Sequence, residues 1–126
     1  MPQQGYKDME EEKSLDATLK QVTDAIYEKK GEEILVLDLG ELCNFCRYFV
    51  LTTATSTEHL NTLMEEIKNR FNHHNIEGIP QSGWILIDMG DIIVHLFSKE
   101  KRDYYRLESL WGDAKTVQIS REEKDG

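Results

Sequence analysis

The stretch from Gly83 to Trp111, GWILIDMGDIIVHLFSKEKRDYYRLESLW, constrains the fold more than any other. Two apolar runs, Trp84 to Ile87 and Ile92 to Phe97, flank the break Asp88-Met89-Gly90-Asp91. Hydrophobic runs around a short turn rich in aspartate and glycine predict a β-hairpin. Neither run alternates with polar residues; only His95 interrupts the second. Both strands are therefore expected to lie inside a sheet covered on its two faces. A charged, aromatic segment follows, Lys101 to Trp111. Tyr104, Leu107, Glu108 and Trp111 are spaced three and four apart, which predicts one short helix over Lys101 to Leu110 with these residues on a shared face. Gly112 ends it.

The remaining elements fall around this unit. Residues Met1 to Lys13 are acidic and hold few apolar groups, so a flexible tail is expected at 1–13. A helix is predicted to start near Ser14, with Leu15, Leu19, Val22 and Ile26 on one face, Tyr27 beside them, and Gly31 as its stop. Ile34 to Leu39 and Arg47 to Ala54 read as strands, being short and rich in apolar, aromatic or β-branched residues. A second helix starts at Thr55, or at Ser56 as a competing cap, and buries Leu60, Leu63, Met64, Ile67 and Phe71. The segment from Asn72 to Gly83 reads as a loop. Lys115 to Ser120 alternates and reads as a last strand, and 121–126 as a charged C-terminal tail. The fold class is α/β, a single domain with a mixed, five-stranded sheet and flanking helices.

Composition excludes several functions. The formal net charge of -9 argues against a general binder of free nucleic acid, which needs a positive footprint. It suits a basic protein partner. No apolar run approaches membrane-spanning length and the N-terminus has no secretory pattern, so no membrane association and a cytoplasmic location are expected.

Candidate chemistry is sparse. Cys43 and Cys46 form a C-x-x-C pair, but structural zinc needs further ligands and a thioredoxin-like site needs the pair at the start of a helix. Here it leads into a strand, so the pair reads as two partly buried thiols. Asp38, Asp88 and Asp91 suggest a cation cluster for phosphoryl or nucleotidyl transfer. Aspartate beside glycine is more simply a turn former, and no Gly-rich phosphate cradle joins a strand to a helix. His95 lacks an obvious nucleophile to serve and reads as a core or site-forming polar group. The expectation is no enzyme, no cofactor and no metal. Trp84, Tyr104, Tyr105 and Trp111, with Arg102 and Arg106, exceed what a small core needs. Aromatics beside arginines are the residues of protein-interface hot spots.

Trp84-x-x-x-Asp88-x-Gly90-Asp91-x-x-Val94-His95, followed by Arg102-x-x-Tyr105-x-Leu107-Glu108-x-Leu110-Trp111, resembles the ribosomal silencing factor, or Iojap-like, family. Asp38, Tyr48-Phe49-Val50, Ser56, His59 and Glu77-Gly78 stand upstream in the family's order. The resemblance covers Leu15 to Asp113 and places a silencing-factor domain at 14–120. It implies a nucleotidyltransferase-like shape without the catalytic carboxylate signature. It also implies binding to the large ribosomal subunit through its fourteenth ribosomal protein, steric blocking of subunit joining, and repression of translation under nutrient limitation. Homodimers are implied too. Trp84, Asp88, Asp91, His95, Arg102, Tyr105, Glu108 and Trp111 are then the ribosome-binding or site-supporting residues, and Ile85, Ile87, Ile93 and Leu96 scaffold. The alternative is a catalytically inactive nucleotidyltransferase-like domain that binds a nucleotide or another protein. Two departures stand out. Cys46-Arg47 replaces the family's Thr-Asp before Tyr48, and Ala54 and Glu58 stand where glycine and arginine are usual.

Overall fold

Strands β2 (Tyr48–Ala54) and β5 (Ile92–Ser98) pair in parallel at the middle of a sheet, as seen in the computed structural model, which describes residues 2–72 and 74–119, with side chains from Leu15 onward. All seven residues of β2 are buried, as are the first six of β5. Strand β4 (Trp84–Asp88) forms the predicted hairpin with β5, and β1 (Glu32–Asp38) pairs antiparallel with β2. β3 (Asn75–Glu77) adds to β4 and β6 (Lys115–Thr116) adds to β1. The order is β3-β4-β5-β2-β1-β6, with only β2 and β5 parallel among the described residues.

The sheet is mixed, as expected, but has six strands rather than five. The extra one is β3, in the segment read as a loop. Its three residues carry no apolar alternation beyond Ile76, and their pairing with Leu86, Ile87 and Asp88 is fixed by the sheet rather than by local pattern. β4 also departs from expectation. It is buried on one face only, at Ile85 and Ile87, while Trp84 and Leu86 are partly exposed. The last strand stops at Thr116, although Val117 N–H still donates to the Val36 carbonyl. Ser120 and the charged segment 121–126 lie outside the described residues.

Two helices cover one face. α1 (Pro2–Glu28) extends well before Ser14, where a start was expected; the Glu- and Lys-rich lead-in contains good helix formers. Leu15 packs against the core together with buried Leu19, Val22 and Ile26, the stripe read from the sequence. Tyr27, by contrast, is exposed. The left-handed residue after this helix is Lys30, with φ 63°. Gly31 is needed for a different reason: an added Cβ would meet the Ile26 side chain and the Thr52 hydroxyl.

α2 (Thr57–Arg70) is capped by Ser56, whose hydroxyl accepts from His59 N–H at 3.0 Å. His59 ties the two helices together. Its Nδ1 accepts from Thr55 N–H at 2.9 Å, and its Nε2 therefore donates to the Lys29 carbonyl at 2.7 Å. Leu60, Leu63 and Ile67 complete this side of the core with Ile85, Ile87, Val94 and Leu96.

The opposite face carries a second core of Leu37, Leu39, Cys43, Cys46, Phe49, Leu51, Ile93 and Phe97. Two short helices border it, α3 (Lys99–Tyr105) and α4 (Leu107–Leu110), where one had been expected. Arg106 separates them at φ 48°, ψ 54°. That left-handed residue redirects the chain, so Leu107 and Trp111 pack on the sheet while Tyr104 is 76% exposed. No helix among the described residues is long and apolar enough to cross a membrane.

Gly78 is a sensitive point. Its φ is +93°, and an added Cβ would meet the Trp84 carbonyl. Gly78→Ala is expected to lower stability by about 2 kcal/mol or more, measured as a fall in the urea midpoint without a change in slope.

Candidate functional site

Residue parity builds the site. In strands, alternate side chains share a face. Trp84 and Leu86 of β4, Ile93, His95 and Phe97 of β5, and Phe49, Leu51 and Thr53 of β2 all project towards α3 and α4. The register sets them side by side, with Trp84 opposite Phe97, Leu86 opposite His95, and Leu51 opposite His95 on the other flank.

The result is a contiguous aromatic layer. Trp84 stacks on Phe97 with ring centroids 5.1 Å apart, and the Tyr105 ring centroid lies 4.6 Å from that of Trp84. His95 meets Phe49 edge-on at 4.6 Å, and Phe49 in turn meets Trp111 edge-on at 5.5 Å. Tyr104 contacts Tyr105 edge-on at 5.0 Å. Offset and edge-on arrangements of this kind are favourable for aromatic quadrupoles.

Polar groups fix the layer. Trp84 Nε1 donates to His95 Nδ1 at 3.2 Å. The neutral imidazole must then carry its proton on Nε2, which is buried without a hydrogen-bond partner among the described residues. Burial pulls the His95 pKa down to about 4, so it is neutral at physiological pH.

Arg102 is 6% exposed. It donates to the Thr53 hydroxyl at 3.0 Å and to the Glu33 carbonyl, which is turned by the irregular register between Glu32 and Leu35. Its Nε lies 3.6 Å from Glu108 Oε1. The second Glu108 oxygen is also buried without a hydrogen-bond partner among the described residues. Arg102 thus locks α3 and α4 to β1 and β2.

Six of the eight residues singled out in the sequence therefore gather here: Trp84, His95, Arg102, Tyr105, Glu108 and Trp111. Asp88 and Asp91 stand apart, at the hairpin turn. Four residues of strand put Asp88 roughly 13 Å from Trp84. Asp88 accepts from Gly90 N–H at 2.9 Å, and the Asp91 carbonyl accepts from the N–H groups of Arg47 and Tyr48 at 2.7 and 2.9 Å. These aspartates shape the turn and its junction with β2. Asp38, the third, accepts from Arg47 Nε at 3.0 Å. No three His, Cys, Asp or Glu side chains among the described residues come together as a metal site.

The comparisons with known proteins bear on this arrangement. Residues 11–126 match the sequence profile of a family described as ribosomal silencing factor during starvation. The chain belongs to this family. A ribosomal silencing factor of Bacillus subtilis is 37% identical over 101 residues, spanning 76% of this chain and 86% of that protein. The mouse protein named mitochondrial assembly of ribosomal large subunit protein 1 is 28% identical over 94 residues, which are 68% of this chain and 41% of that protein. A crystal structure of a protein from Bacillus halodurans superposes with a TM-score of 0.70 at 30% identity, covering 82% of this chain and 98% of that one. The ribosomal silencing factor name denotes regulation rather than catalysis.

In this silencing-factor chain the sequence pointed to the aromatic exit of the hairpin but missed Phe49, Phe97 and Thr53. Their shared parity with His95 and Trp84 is a signal only once β2 and β5 are known to be parallel and in register. On α3 and α4, Tyr104, Leu110 and Tyr105 are 76%, 75% and 42% exposed.

Two measurements probe the support of this layer. A histidine with a folded pKa of about 4 stabilises the fold above its unfolded value of 6.5, and that stability fades as pH falls between them. From about pH 7 to about pH 5 the wild type should lose about 2 kcal/mol more than His95→Leu, read by urea unfolding at each pH. Arg102→Met removes the donor to Glu33 and Thr53 and should cost about 2–3 kcal/mol. Calorimetry would show a lowered Tm, and an unchanged Tm would mean that the clasp contributes nothing.

Proposed function

We propose that the chain silences ribosomes by steric occlusion. It binds the large ribosomal subunit through that subunit's fourteenth ribosomal protein, keeps the small subunit from joining and represses translation when nutrients are scarce. The observation that carries the reading is the exposed surface of Tyr104 and Tyr105 beside the Trp84 and Phe97 stack, in a chain of the silencing-factor family. A preorganised aromatic patch loses little side-chain entropy on binding. The net charge of -9 favours encounter with a basic ribosomal surface.

Within this proposal the eight residues divide by role. Tyr105 and the exposed edges of Trp84 and Trp111 make contact. His95, Arg102 and Glu108 hold those aromatics in place from beneath. Asp88 and Asp91 present a separate acidic turn to the same partner. No chemical step is required, because occupancy alone keeps the subunits apart. The site of action is the cytoplasm, and the chain acts there as a homodimer or as its protomer.

A second reading has one observation in its favour. A cleft of about 500 Å³ opens at the carboxyl ends of the parallel strands β2 and β5, lined by Thr53, Thr55, Ser56, Ser98 and Lys101. Ligands of α/β sheets commonly bind at such ends. A catalytically inactive nucleotidyltransferase-like domain would hold a nucleotide there.

Co-sedimentation with purified large subunits, paired with a subunit-joining assay, separates the two. Wild-type protein should pellet with the large subunit and lower the yield of joined ribosomes. Tyr105→Ala should weaken that binding by about 2 kcal/mol, roughly thirtyfold, with little change in Tm. Normal joining at saturating protein with no co-sedimentation would sink the proposal. Nucleotide binding by calorimetry in that case would support the second reading.

A further inference from the structure

The connection between β1 and β2 holds two free thiols, Cys43 and Cys46, and brings their sulphur atoms to 3.2 Å. Each residue is 6% exposed, in the core formed with Leu39, Phe49 and Ile93. The stem of the loop is clamped on both sides of the pair. Leu42 N–H donates to the Leu39 carbonyl at 2.8 Å, and Leu39 N–H donates to the Arg47 carbonyl at 2.9 Å. Beyond the pair, Arg47 bonds to Asp91 and Asp38. The loop itself is at the surface, since Leu42 and Phe45 are 47% and 71% exposed. A short local opening is enough to admit a small reagent.

Two sulphurs at this separation need to approach by only about 1 Å to reach bonding distance. We propose that Cys43 and Cys46 form a reversible dithiol–disulfide site, closed by a low-molecular-weight disulfide such as oxidised glutathione. The structure bears out the reading of the pair as two buried free thiols, and the proposal adds a chemistry to them. It stands whichever partner the aromatic layer takes.

The exchange runs in two displacements. The Cys43 thiolate attacks one sulphur of the small disulfide, forms a mixed disulfide and releases the first small thiolate, which takes the proton lost by Cys43. Cys46 then loses its proton and attacks the Cys43 sulphur. The mixed bond breaks and the second small thiol departs. The protein loses two protons and two electrons, and the small disulfide takes them up to become two thiols. Excess thiol reverses both steps.

The surroundings favour that order. Burial opposes ionisation of Cys43 more than any other single influence. The N–H groups of Phe45 and Cys46 and the Cys46 thiol together outweigh it and hold Cys43 below its ordinary value. Burial, the Cys43 sulphur and the carboxylates of Asp88 and Asp91 push Cys46 up to about 12. Cys43 is therefore the attacking sulphur and Cys46 the resolving one. Capping Cys43 as a mixed disulfide removes its charge, one of the influences that hold the Cys46 proton in place.

The test equilibrates the reduced full-length chain with graded ratios of glutathione to oxidised glutathione, then quenches with acid, alkylates and weighs the intact protein. Both thiols should disappear together in a monomer, with an equilibrium constant about tenfold or more above that of the same chain unfolded in denaturant. Cys46→Ser, shown folded by circular dichroism, should stop with one glutathione attached to Cys43. Persistence of both thiols in the folded wild type at the most oxidising ratio would overturn the proposal. So would equal constants for the folded and unfolded chains, or cross-linked dimers in place of the internal bond.

Discussion

The parallel pairing of β2 with β5 is the constraint on which the other elements depend. It holds seven residue pairs in unbroken register, from Tyr48 with Ile92 to Ala54 with Ser98. Because side chains alternate along each strand, this one register assigns Val50, Val94 and Leu96 to the helix-covered core and Phe49, Leu51, His95 and Phe97 to the other. A slip of one residue would exchange the two sets. It would place the His95 imidazole among the leucines of α1 and α2, away from the Trp84 indole that now donates to it.

Much of this was legible from local pattern. The hairpin, the buried stripe of α1 and the scaffold role of Ile85, Ile87, Ile93 and Leu96 follow from periodicity, turn chemistry and hydrophobicity, which act over a few residues. What escaped depends on distant groups. β3 exists because β4 offers it a ladder, and its own three residues say little. Gly31 reads as a helix stop, yet its place is dictated by the approach of Thr52 from β2. The break at Arg106 follows neither glycine nor proline. It accompanies the packing of Leu107 and Trp111 against a sheet face that helical spacing alone does not reveal.

The candidate site was legible in type more than in arrangement. Crowded aromatics beside arginines read as an interface in the sequence, and in the structure the two arginines differ in use. Arg102 is buried as a clasp, while Arg106 is exposed at the bend between α3 and α4. The aspartates of the hairpin turn invited grouping with the aromatics because they are close in sequence. The extended geometry of β4 separates them. The departure at Cys46-Arg47 also gains a physical meaning, since Arg47, just before β2, forms an ion pair with Asp38 at the end of β1.

The short outer strands limit how this sheet can meet another protein. β3 contributes three residues and β6 two, and their partners already use the inner side of each ladder. An incoming strand at either margin would find few backbone donors and acceptors in line, and at β3 it would meet exposed Asn75 and Glu77. Edge-to-edge extension is thereby blunted, as in other sheets whose margins are short and polar. Recognition is left to side-chain surfaces, where shape and charge discriminate between partners in a way that a bare backbone edge does not.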